Sequence, residues 1–142
     1  MTLDEIQKLW EEDSIIDPDN LHTESIKIPQ LHSKYHNLYN NVVLLKLQAE
    51  NNYKILRKEK WMYYTGKADV EAYKENPFNY KVLKTDIDKY MDADEDIIKA
   101  SSKINYYETM LNYLDSILKI IVNRTYQIKN SIEFMRFSSG LG

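Results

Sequence analysis

The amino-acid sequence predicts an all-α fold in one domain over residues 1–142. A short N-terminal helix is followed by a long antiparallel helical hairpin, about 29–65 and 94–137. Three observations predict it. Gly and Pro number only 3 each in 142 residues, too few for the turns of a β-sandwich or barrel. Apolar residues recur in steps of three and four over two long stretches. Helix start and stop signals bound those stretches.

Thr2-Leu-Asp-Glu5 has the form of a capping box, in which hydroxyl and carboxylate reciprocally satisfy backbone N–H groups. Leu3, Ile6, Leu9 and Trp10 then share one face of a helix expected to end near Asp13. Residues 14–27 are polar, contain Pro18 and read as a connecting loop. Pro29 suits a first helical turn, where its missing N–H costs nothing. Leu31, Tyr35, Leu38, Val42, Leu45, Ala49, Asn52 and Leu56 then form a heptad seam, and Gly66 supplies the stop. From Leu31 to Thr65 such a helix is on the order of 50 Å long. Asn76-Pro77 breaks any helix through 67–91, although Ala68 to Glu75 can form two turns. Tyr80-Lys-Val-Leu-Lys is ambiguous between strand and helix. Asp92-Ala-Asp-Glu-Asp96 places negative charge where the dipole of the last helix favours it.

Within that last helix Ala100, Ile104, Tyr107, Leu111, Leu114, Leu118, Ile121, Thr125, Ile128, Ile132 and Met135 form one seam. Tyr106, Met110, Tyr113, Ile117 and Ile120 form a second, about 100° around the helix. A single partner helix cannot cover both, so a homo-oligomer packed through this helix is expected. Its candidate oligomerisation residues are Leu114, Ile117, Leu118, Ile121, Ile128, Ile132 and Met135.

Composition removes several classes of function. With 43% apolar and 29% charged residues the chain is neither a disordered tail nor a membrane protein. Cys is absent, which excludes disulfide scaffolds, thiolate zinc sites and cysteine nucleophiles. The opening residues carry acids and no long apolar run, so no signal peptide is expected, and Asn123-Arg-Thr125 reads as a chance sequon. No stretch approaches about 18 uninterrupted apolar residues, so nothing is expected to span a bilayer. Neither long helix pairs a basic polar face with its apolar stripe, so no membrane partner is expected. Asp92-x-Asp94-x-Asp96 continues to Ile97 and Lys103 where a calcium loop needs Gly and Glu. His32 and His36 have the spacing of a metal pair but read as solvated helical residues. No nucleophile elbow, P-loop or dinucleotide fingerprint occurs. The expectation is a non-enzymatic protein with no cofactor and no metal.

Charge is uneven. Between Lys46 and Lys67 six basic residues face two acidic ones, a belt of +4 in a chain of net charge −3, leaving −7 elsewhere. In the belt Lys54, Arg57, Lys58, Lys60 and Lys67 interleave with Trp61, Tyr63 and Tyr64. Cations hold phosphates and flat rings stack on unpaired bases of any identity, so these eight residues are the candidate site for single-stranded DNA. The alternative is a structural coiled-coil scaffold without DNA binding. There the three rings are core residues and the lysines a solvated flank.

The block Lys58-Glu-Lys60-Trp-Met-Tyr63-Tyr64-Thr-Gly66-Lys67 resembles the basic-aromatic signature of the UvsY family, recombination mediators of T-even-type phages. That signature reads approximately Lys-x-Arg-x-x-Tyr-Tyr-Ser-Gly-Arg. Arg124-Thr-Tyr-Gln-Ile128-Lys129-Asn-Ser-Ile132-Glu-Phe-Met135-Arg136 is similar to the family's closing helix. The resemblance is collinear over nearly the whole chain, strongest at 33–66 and 94–137 and poor at 67–91. Lys60 stands where the family has Arg, which keeps charge but loses the planar fork. Trp61-Met62 replaces a smaller pair. The resemblance implies a ring-forming, single-stranded-DNA-binding protein of six or seven subunits, acting in the cytoplasm of the infected bacterial host. It implies loading of a RecA-like phage recombinase onto DNA coated by the phage single-strand-binding protein. It also implies Lys58 and Lys60 as DNA contacts and oligomerisation through the C-terminal helix.

Overall fold

A computed structural model describes residues 1–78 and 80–140. Among them helices run α1 Leu3–Asp13, α2 Leu21–Ile26, α3 Ile28–Tyr64, α4 Val70–Glu75, α5 Ile87–Asp92 and α6 Glu95–Ser138, with no strand. The all-helical expectation holds. Two compact units divide the chain, 1–42 with 109–142 and 43–108, so α3 and α6 each contribute to both.

In the first unit α1 opens as its sequence dictates. Thr2 Oγ1 accepts from the Glu5 amide at 3.2 Å, and Glu5 Oε2 accepts from the Thr2 amide at 3.1 Å. The helix buries Ile6 and Trp10. Residues 14–27 are more ordered than a loop. Asp17 accepts from Asn20 Nδ2 at 2.6 Å and from the Asp19 amide at 3.0 Å, and α2 then buries Leu21. Those bonds, led by the one from Asn20, hold the Asp17 carboxyl below its ordinary value. A six-residue helix has too little propensity of its own to be read from sequence. Pro29 falls in the first turn of α3, as expected.

The core of this unit joins Tyr35 and Val42 of α3 to Met110, Leu114, Ile117, Ile121 and Ile128 of α6. Tyr35 meets the Trp10 ring edge-on at 5.3 Å and donates its hydroxyl to Asp13 Oδ2 at 2.8 Å. Burial, reinforced by that carboxylate, pushes the Tyr35 phenol far above its ordinary range. Part of the second seam of α6 is covered inside the chain: Met110 and Ile117 are buried and Tyr113 is half-buried, whereas Tyr106 and Ile120 are exposed. Burial, and after it the charge of Glu11 on α1, raises the Tyr113 phenol above its ordinary value. Among the proposed oligomerisation residues Leu114, Ile117, Ile121 and Ile128 are interior and Leu118 half-buried, because this internal core consumes them. Only Ile132 and Met135 remain exposed. Arg124 is buried in the turn where the heptad placed Thr125, which is exposed.

The second unit begins where the heptad drifts. Leu45 and Asn52 point outward, while Lys46 and Tyr53 are half-buried, as 3.6 residues per turn gradually outpace a 3.5 repeat. Ile87, Met91 and Ile97 form its centre, with Tyr53, Leu56, Tyr64 and Val82 against them. Gly66 ends α3 at φ +78°, in the left-handed region that favours glycine. The Lys67 amide reaches Met62 O at 2.8 Å and the Gly66 amide reaches Tyr63 O at 3.3 Å, both bonds of a Schellman motif. Tyr80 to Lys84 is neither strand nor helix; the backbone runs irregularly into a turn before α5. The acidic run divides, with Asp92 ending α5 and Asp94 capping α6 through bonds from the Asp96 and Ile97 amides at 2.9 and 3.1 Å.

Candidate nucleic-acid interface

Apart from Lys46 upstream and Lys67 just past its end, the basic belt occupies the last three turns of α3, and helical geometry sorts it into two faces. Lys54, Arg57, Lys58 and Trp61 follow the i, i+3, i+4, i+7 pattern of one stripe. Together with Asp88 and Met91 of α5 they line an open groove of about 350 Å³. Arg57 Nη2 lies 4.0 Å from Asp88, a contact between exposed groups and hence a weak one. Among the described residues Lys54 and Lys58 are exposed and form no ion pair. Trp61 is 41% exposed, and the Lys67 ammonium stands 4.4 Å from its ring centroid. The groove thus brings together five of the eight candidate residues when Lys67 at its end is included.

Lys60, Tyr63 and Tyr64 are placed differently, on a second face of α3 where each has a partner inside the chain. Lys60 Nζ lies 2.8 Å from Asp96 Oδ2 and 3.3 Å from Asp94 Oδ2. Burial alone would lower its pKa, but Asp96 and Asp94 hold it above the ordinary lysine value, so its charge is already committed. Tyr64 donates to Asp94 Oδ2 at 2.6 Å, and burial together with that carboxylate pushes its phenol far up. Asp94 has the opposite tendency: burial would raise its pKa, while Tyr64, the Ile97 amide and Lys60 outweigh burial and lower it. Tyr63 donates to Asn76 O at 2.8 Å and stacks on Tyr73 at 5.4 Å. Tyr73 in turn donates to Tyr63 O at 2.8 Å, and the Phe78 ring lies 5.1 Å from Tyr64. These tyrosines anchor the 67–91 segment rather than offering open faces. Sequence reasoning missed Tyr73, Phe78 and Tyr90 as their partners; the aromatic density of 73–90 was the available signal.

A larger cavity of about 600 Å³ adjoins that second face, lined by Glu59, Asp69, Glu75, Asp94 and Asp96 against the single cation Lys60. Its acids would repel phosphate, whereas the smaller groove carries three cations and one acid. Among the described residues no group of three or more His, Asp or Glu could hold a metal ion, and His32 and His36 stack at 5.7 Å. Among the described residues no helix is long and apolar enough to cross a membrane.

Comparison with known proteins places this geometry in context. The family model for "Recombination, repair and ssDNA binding protein UvsY" matches residues 9–141. The recombination protein uvsY of Enterobacteria phage T4 is 25% identical over 140 residues, 99% of each chain. Two crystal structures of the bacteriophage T4 recombination mediator protein UvsY, each 24% identical, share the fold. Lattice type II has a TM-score of 0.84 and covers 98% of each chain; lattice type I has 0.83 and covers 94% of this chain and 98% of that one.

Proposed function

This chain belongs to the UvsY family of recombination, repair and ssDNA-binding proteins, and from that premise we propose that it is a non-enzymatic recombination mediator. It binds single-stranded DNA along the groove of Lys54, Arg57, Lys58 and Trp61, with Lys67 at its end. The observation that carries this reading is the convergence of three cations and an exposed indole on one helix stripe. The cations neutralise phosphates and the ring stacks on a base, a combination that tolerates any sequence.

Each subunit offers a small site, so useful affinity comes from repetition. In a ring of six or seven copies, one strand engages successive grooves intramolecularly and weak contacts become avid. The apolar end of α6, with Ile132, Phe134, Met135 and Phe137 exposed, is the proposed surface for that assembly. The acidic remainder of the chain limits non-specific adhesion. Wrapping loosens the phage single-strand-binding protein and presents the strand to a RecA-like phage recombinase, in the cytoplasm of the infected bacterium.

Titration of the protein into fluorescent oligo-dT at low and moderate salt, with duplex DNA as competitor, tests the reading. Salt-sensitive binding that prefers the single strand is expected, and Trp61→Ala should weaken it by about 1–3 kcal/mol. Absence of binding at low salt would refute the proposal and favour the scaffold.

A further inference from the structure

Arg124 is 4% exposed, yet among the described residues it forms no ion pair. Its Nη2 donates to the Asp13 and Ser14 carbonyls at 2.8 and 3.0 Å, capping the end of α1, and its guanidinium lies 5.9 Å from the Trp10 ring. Nε has no partner at all. The nearby Asp13 carboxylate is committed elsewhere, to Lys34 at 2.6 Å and to the Tyr35 hydroxyl. A buried guanidinium bonded to carbonyls, packed on a ring and left with an unbonded Nε has no anionic hydrogen-bond partner of its own, an arrangement that favours an incoming anion.

A cavity of about 620 Å³ opens beside it, within the size range of ligand sites. Ile120, Arg124, Gln127 and Ser131 follow one stripe of α6. Trp10, Ile16 and Ile120 give the cavity an apolar wall, while Gln127, Asn130 and Ser131 supply amides and a hydroxyl. No second cation lines it, which disfavours a nucleic-acid backbone, whose binding depends on several phosphates being neutralised together. A carboxylate on a flexible side chain has the reach to approach Arg124, and the apolar wall accommodates its neighbour.

We propose that this cavity is a docking site for an acidic peptide segment of a partner protein, with Arg124 receiving a carboxylate and the Trp10–Ile16–Ile120 wall receiving an adjacent aliphatic side chain. The site uses none of the DNA groove's residues, so peptide and single strand engage separate surfaces.

Fluorescence anisotropy with a labelled, C-terminally amidated Leu-Asp-Leu peptide and its Leu-Asn-Leu twin tests the proposal on the full chain. Saturable binding of the Asp peptide is expected, weakened about tenfold or more by Asn. Arg124→Gln should abolish it. Because that change also removes the α1 cap and can unfold the unit, Ser131→Phe at an exposed rim position, with helicity checked by circular dichroism, decides. Loss of peptide binding in folded Ser131→Phe with oligo-dT binding retained supports the site. Equal binding of the two peptides, no binding, or full binding by Ser131→Phe overturns it. So does equally effective displacement by inorganic phosphate or by oligo-dT, which would mark a general anion or nucleic-acid site.

Discussion

Lys58 and Lys60 have the same chemistry two residues apart, and the structure predicts opposite consequences for losing them. In Lys60→Met the aliphatic stem stays and the charge goes. Its pair with Asp96, whose side chain is 65% exposed, is worth about 0.2–1 kcal/mol. The pair with Asp94 is different, because that side chain is only 7% exposed. Orphaning a buried charge typically costs about 3–5 kcal/mol. Here Asp94 keeps Tyr64 and two backbone amides, which reduces the cost to about 1–2 kcal/mol. The sum, about 1–3 kcal/mol, corresponds to a fall in melting temperature of roughly 4–10 °C for a chain of this size. Lys58→Met removes an exposed, unpaired charge and should stay within about 0.5 kcal/mol. In oligo-dT titrations over a salt series the order reverses. Lys58→Met should reduce the slope of log affinity on log salt by about 0.7, the share of one phosphate contact, while Lys60→Met leaves it unchanged. Thermal melts and salt titrations of both variants check this. If Lys60→Met melts like wild type and loses the slope, the ion-pair assignment is wrong and Lys60 is a free DNA cation.

Three further outcomes are expected. Asp94, whose folded pKa is lowered, contributes stability that is fully present above its ordinary 3.8 and is lost as pH falls through the folded value; acid melts should show this loss, and Asp94→Asn should be less stable at neutral pH but lose less on acidification. Gly66→Ala meets no atom within 4 Å, so its cost is backbone strain alone, about 1 kcal/mol by denaturant titration, with DNA affinity unaltered. Removing everything after Ser131 should give smaller particles on sizing with helicity retained, whereas a cut at Val122 takes Arg124 and Ile128 from the core and should unfold the first unit.

What was legible in the sequence was whatever is decided within a few residues. The Thr2–Glu5 box, the Gly66 stop and the acid-rich start of α6 are local chemistry, and each appears where expected. The six-residue helices α2 and α5 were not, because packing rather than propensity holds them. Side-chain assignments failed where helix phase matters. A strict heptad misplaces Leu45 and Thr125 by one position, exchanging Lys46 and Arg124 out of view. Lys58 and Lys60 look like one site in a linear motif, yet two residues are about 200° apart on a helix. The second seam of α6 reads from sequence as one continuous face, yet Met110 and Ile117 are buried while Tyr106 and Ile120 are exposed, a division that nothing local encodes.

The division of the chain also sets an order of synthesis. The second unit is drawn from one continuous stretch, 43–108, and is complete in sequence once that stretch has emerged. The first unit is built from the two flanks, and the Arg124–Asp13 bond closes a separation of 111 residues. Ile6, Trp10 and Tyr35 must therefore wait until α6 leaves the ribosome, on the order of several seconds at translation speed. During that interval the apolar face of α1 is without its covering helix, and the nascent chain is most exposed to premature association through its oldest residues.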